Sequence, residues 1–97
     1  MSYIAFLVVS PMDRGPSLSG YVRAAVDAID SSGLKYQVTP MGTIIESEDI
    51  DAILAVTRDA VEAVRSLNSD RISVTLKIDA RYDRDITMES KMRSLDR

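Results

Sequence analysis

Apolar extended runs and amphipathic helical stretches alternate along this chain in an order that predicts an α+β fold. Four short segments have strand composition, and two longer ones repeat their apolar positions at helical spacing. Their order is strand, helix, strand, strand, helix, strand. That is the split βαβ arrangement, a ferredoxin-like βαββαβ sandwich with four antiparallel strands and two helices on one face. A short C-terminal helix follows. No repeat, low-complexity segment or long linker divides the sequence, so residues 1–97 read as one domain.

The first strand spans Tyr3 to Ser10, rich in Ile, Phe and Val and ended by Pro11. Ile4, Phe6 and Val8 point one way and Ala5, Leu7 and Val9 the other, the signature of a central strand covered on both sides. Pro11 to Pro16 supplies a loop. A helix from Leu18 to Ser32 carries Leu18, Val22, Ala25, Val26 and Ile29 on one face. Ser17 or Ser19 suits its N-cap, Gly33 stands at its C′ position, and Gly20 weakens its first turn.

The second strand, Leu34 to Thr39, turns Leu34, Tyr36 and Val38 inward and Lys35, Gln37 and Thr39 outward. Pro40 and Gly42 mark a sharp connection before the third strand, Met41 to Glu46. Ser47-Glu48-Asp49 caps and charges the next helix, whose apolar stripe is Ile50, Ile53, Leu54, Ala60, Val61, Val64 and Leu67. Asn68-Ser69 breaks that helix. The fourth strand, Arg71 to Asp79, alternates cleanly: Ile72, Val74, Leu76 and Ile78 against Ser73, Thr75, Lys77 and Asp79. Beyond Arg81 the tail is charged. Met88, Met92 and Leu95 form one stripe of a helix too short to stand alone, so it docks on something or frays.

Composition excludes more than it establishes. The chain has no Cys and no His, which removes disulfides, thiolate nucleophiles, cysteine-ligated zinc, imidazole metal sites and a Ser-His-Asp triad. Its longest early apolar run, Ile4 to Val9, is far below the roughly 20 residues of a membrane span. No basic segment precedes that run to make it a signal peptide. A net charge of −3 and a pI near 4.8 argue against nucleic acid and anionic membranes as partners. A cytoplasmic protein is the expectation.

With the helices on one face, the other face should expose an apolar centre from the first strand in a frame of Lys35, Gln37, Thr39, Ser73, Thr75, Lys77 and Asp79. Such patches are interaction surfaces, and a second copy packed sheet on sheet covers one economically. Ser17, Leu18 and Ser19 offer hydroxyls and free backbone amides at a helix start, which suit an anion or a polar heterocycle or simply cap the helix. Gly42 beside Thr43 fits close approach of a ligand, and equally a bulge. Lys77, Asp79, Arg81, Asp83, Arg84 and Asp85 read as solvated ion pairs, because spacing fixes no acid–base couple among them. Glu46 shares that ambiguity. The acidic residues Glu46, Glu48, Asp49 and Asp51 lack the spacing of a calcium loop, so no metal is expected.

Several blocks together resemble a known family. They are Pro11 with Ser17-Leu18-Ser19-Gly20-Tyr21-Val22, then Ser32-Gly33-Leu34-Lys35-Tyr36, then Pro40-Met41-Gly42-Thr43 with Glu46, and finally Lys77-Ile78-Asp79-Ala80-Arg81 followed by Thr87-Met88-Glu89-Ser90-Lys91. In order and spacing they are similar to the small thiamine-binding proteins, relatives of bacterial proteins that bind thiamine or its hydroxymethylpyrimidine part. The resemblance implies ferredoxin-like subunits assembled as homodimers or homotetramers through their open sheet faces. It also implies a binding protein rather than an enzyme, with its ligand near those faces and no separate cofactor. Carried over by position, the ligand-binding candidates are Ser17, Ser19, Thr43 and Glu46, with Lys77 and Asp79 behind them. Gly20 departs from the family pattern, which often has Glu there. A carboxylate near an apolar floor would offset the thiazolium charge, and hydroxyls match a pyrimidine edge. With no phosphate cradle in the sequence, an unphosphorylated ligand is expected. The competing reading is an oligomerisation or regulatory module with a protein partner and no vitamin ligand.

Overall fold

The chain forms β1 (Ser2–Pro11), α1 (Ser19–Ser31), β2 (Lys35–Thr39), β3 (Gly42–Ser47), α2 (Ile50–Arg65), β4 (Ile72–Arg81) and α3 (Met88–Arg93). The computed structural model describes residues 1–95; the last two positions of the expected 97-residue domain lie outside the described residues. The strands make one antiparallel sheet in the order β2-β3-β1-β4, which is the expected ferredoxin-like βαββαβ sandwich.

Register assigns every side chain to a face, because strand side chains alternate with a period of two. Ala5 stands opposite Ile45 and Ile78, and Leu7 opposite Thr43 and Leu76. All of these but Thr43, with Tyr3 and Val9, meet Ala25 and Ile29 of α1 and Ile53, Val56, Ala60 and Val64 of α2. Ile45, Ile53, Ala60 and Val64 are fully buried there. The opposite parity sends Ile4, Phe6, Val8, Ile44, Glu46, Lys77 and Asp79 to the other face, as the alternation in β4 predicts.

Local details depart from expectation in three places. Neither Ser17 nor Ser19 caps α1: half-buried Leu18 takes the N-cap, and its carbonyl accepts from the amides of Tyr21 and Val22, both at 3.0 Å. In α2, Leu54 faces solvent while Val56 enters the core, since positions 53, 56, 60 and 64 follow the helical line and 54 falls beside it; Leu67 is exposed because the helix ends before it, at Arg65. Gly33 does close α1, at φ 78°, in the left-handed region that glycine adopts without strain. Asp49 caps α2 by accepting from the Asp51 amide at 2.9 Å.

The third departure concerns the free sheet face, which is covered at one end by α3. A Thr87–Ser90 capping box starts this helix. The Met88 amide donates to Glu46 Oε2 on β3 at 2.8 Å, Glu89 pairs with Lys35 on β2, and Lys91 Nζ meets Asp79 Oδ2 on β4 at 2.6 Å. Just before it, the Ile86 amide donates to Ser2 Oγ at 2.7 Å. The helix thus docks on its own sheet. Ile4, on the face left uncovered by α1 and α2, is consequently buried.

Candidate ligand cavity beneath the first helix

The β2–β3 connection is built around Thr39. Its hydroxyl accepts from the amides of Met41 and Gly42, both at 3.2 Å, and donates to the Gly42 carbonyl at 2.8 Å. Pro40 presets the turn. A Cβ on Gly42 would stand 2.6–2.7 Å from the Phe6 ring and 2.8 Å from a Val8 methyl, so glycine here lets those side chains seat against the strand. The group whose close approach Gly42 permits is therefore an aromatic ring of the protein itself.

On the other side of that strand, between α1 and the hairpin, lies a cavity of about 210 Å³. Leu7, Val9, Val22, Val26, Ile29 and Val38 make it apolar, and none of its lining residues has an ionisable side chain. Its hydroxyl-bearing side chains are Ser10, Thr39 and Thr43, and that of Thr39 is taken up by its own turn. Thr43 is only 6 % exposed, and its hydroxyl bonds to none of the described residues. No sealed side-chain oxygen or nitrogen among the described residues lacks a partner, so this hydroxyl keeps some exposure, at a residue that lines the cavity. A donor and acceptor held in an apolar hollow is what fixes the orientation of a small polar ring.

The six sequence-derived candidates fall into three places. Thr43 lines the cavity. Ser17 and Ser19 are exposed in the loop and first turn that precede Val22, and they do not line it. Glu46, Lys77 and Asp79 lie on the opposite sheet face, where Glu46 anchors α3 and Asp79 pairs with Lys91. The Lys91 ammonium donates to Asp79 and holds its carboxyl below the ordinary value. Lys77 and Asp79 border a shallow hollow of about 470 Å³ floored by Ile4, Phe6 and Ile44. Parity carried the signal that separates these groups: positions 43 and 46 in one strand must face opposite sides, whereas 77 and 79 share one. Sequence reasoning also missed Val22, Val38 and Met41 as lining residues. Val22 and Val38 read there as core, and Met41 as a strand start.

Elsewhere, Tyr3 donates to the Tyr82 hydroxyl at 3.3 Å, with the rings edge to face. That hydrogen bond, aided by burial, pushes the Tyr3 phenol up to about 12. Among the described residues, no three His, Cys, Asp or Glu side chains converge to hold a metal ion. No helix among them is long and apolar enough to cross a membrane.

A model of the family described as thiamine-binding protein matches residues 5–96, nearly the whole chain. The chain belongs to the thiamine-binding protein family. A UPF0045 protein of Methanothermobacter thermautotrophicus is 41% identical over 92 residues, covering 94% of this chain and 93% of that one. The crystal structure of a hypothetical protein from Methanocaldococcus jannaschii superposes with a TM-score of 0.90 at 33% identity, over 97% of this chain and 95% of that chain. A candidate thiamine biosynthesis/salvage protein of Thermotoga maritima gives 0.84 at 23% identity, over 98% and 99%, a likeness of fold.

Proposed function

We propose that this member of the thiamine-binding protein family is a cytoplasmic, homo-oligomeric binder of thiamine or its hydroxymethylpyrimidine part. The pyrimidine enters the cavity beneath α1, on the helix side of the sheet and not near the open faces that the family resemblance implies. One observation carries this reading: buried Thr43, whose hydroxyl has no partner among the described residues, lines a hollow walled mainly by apolar side chains. An apolar cavity of roughly 150 Å³ holds a benzene, so about 210 Å³ suits one substituted six-membered ring. The Thr43 hydroxyl both donates and accepts, which matches the mixed edge of an aminopyrimidine.

The same lining supports binding without chemical change or a further cofactor, because no acid or base faces the ring. It also disfavours a phosphorylated ligand, since no Lys or Arg is at hand. The protein then serves sequestration, delivery or sensing. The half-buried strip of Phe6, Val8 and Ile44 on the other face supports assembly of copies, as dimers or tetramers.

Calorimetric titration with thiamine and with hydroxymethylpyrimidine tests the reading. Binding by wild type is expected, and Thr43→Val, which keeps the shape, should weaken both ligands by roughly three- to tenfold for one lost hydrogen bond. Absence of heat and of any thermal shift at millimolar ligand would overturn it. An unchanged dissociation constant for the variant would remove Thr43 from the site.

A further inference from the structure

The rim of the cavity is apolar but exposed to water. Met41 lines the cavity from the hairpin tip yet remains 78 % exposed, and Val22 and Val38, which flank the same opening, are 47 % and 50 % exposed. Three large apolar side chains around one mouth make a contiguous patch rather than scattered surface residues.

The interior and the rim differ in what they can accept. The interior has space for one ring and offers no counter-charge, so a cationic ring inside it would lose its hydration without compensation. A two-ring ligand whose neutral ring fills the cavity must therefore leave its charged ring at the mouth, where water still solvates the charge. There the ring meets the aliphatic faces of Val22 and Val38 and the thioether of Met41. Sulfur is polarizable and packs well against the edges and faces of aromatic rings.

We propose that Met41, with Val22 and Val38, forms a second-ring subsite that distinguishes a two-ring cationic ligand from its one-ring fragment. The proposal rests on the reading that a pyrimidine occupies the cavity. Met41 is then a specificity-determining residue: it contributes to affinity for thiamine and nothing to affinity for hydroxymethylpyrimidine.

Two measurements on the full chain test this. In titrations, Met41→Ala should weaken thiamine roughly three- to tenfold, the range of one sulfur–aromatic contact, and leave hydroxymethylpyrimidine essentially unchanged. Met41→Leu, which keeps the bulk, should recover most of the loss. In peroxide footprinting read by mass spectrometry, thiamine should slow oxidation of Met41 while hydroxymethylpyrimidine does not. Met1, Met12 and Met92, which are comparably exposed, serve as internal references that neither ligand protects. Equal weakening of both ligands, or equal protection of Met41 by both, would make Met41 part of the cavity itself and overturn the subsite. Thiamine binding that is indifferent to Met41→Ala, with Met41 unprotected, would overturn it as well. Failure of both ligands to bind wild type would instead overturn the underlying pyrimidine reading, and the subsite with it.

Discussion

Helices α2 and α3 lie on opposite faces of the same sheet and are held there by different forces. Helix α2 buries Ile53, Val56, Ala60 and Val64 against β1 and β3. Helix α3 buries Met88 and otherwise hangs on a backbone hydrogen bond to Glu46 and on ion pairs to Lys35 and Asp79. The apolar contact scales with area and is indifferent to salt. The ion pairs are half exposed, individually weak and screened by salt. One face of the sheet is therefore a permanent core. The other is covered by a segment whose attachment depends on solution conditions.

The largest effect should come from the core. Ile53→Ala should cost about 2–5 kcal/mol, the range for truncating a fully buried aliphatic side chain, seen as a lowered midpoint in thermal or urea unfolding. A cost near zero would remove the contrast between the two faces.

Acid should separate them without unfolding the whole. Hydrogen bonds from Lys91 and Lys35 hold Asp79 and Glu89 below their ordinary values of 3.8 and 4.5. A depressed folded-state value means the contribution is complete above the ordinary value and is lost as pH falls through the depressed one. Lys35 is raised above 10.5 by the same Glu89, so its contribution is complete below that value and is lost as pH rises through the raised one. Resonances of α3 should accordingly move to coil positions in NMR spectra as pH falls below 3.8, while those of α2 stay native. Added salt should bring that transition to higher pH. Simultaneous loss of both helices would show that α3 is integral to the core.

The smallest effect on the subunit, and the sharpest on its assembly, is expected from the part of the sheet that α3 leaves uncovered. Thr75 is exposed there opposite Val8. Thr75→Lys should change stability by no more than about 0.5 kcal/mol, as for most surface substitutions, yet lower the sedimenting mass by placing charge at the sheet face through which copies are proposed to stack. An unchanged mass would move the subunit contact away from this face.

Particular residues show how far the sequence could be read. The alternation from Ile72 to Asp79 assigned both faces of β4 correctly, because a two-residue period admits only one inward set once a core exists. Gly42 announced a close approach but not by what; the Phe6 ring comes from a strand more than thirty positions away in sequence. Glu46 and Thr43 looked like members of one site, yet they face opposite sides of the sheet. Glu46 is occupied by the amide of Met88 on α3.

By itself the sequence determined the element order, the faces of the second and fourth strands and the absence of thiol and imidazole chemistry, because these follow from local periodicity and composition. Tertiary structure alone decided that a hollow of about 210 Å³ remains beneath α1, that buried Thr43 lines it, and that α3 returns to cover one end of its own sheet. Those facts depend on how distant side chains fill or fail to fill shared space. No local pattern encodes that.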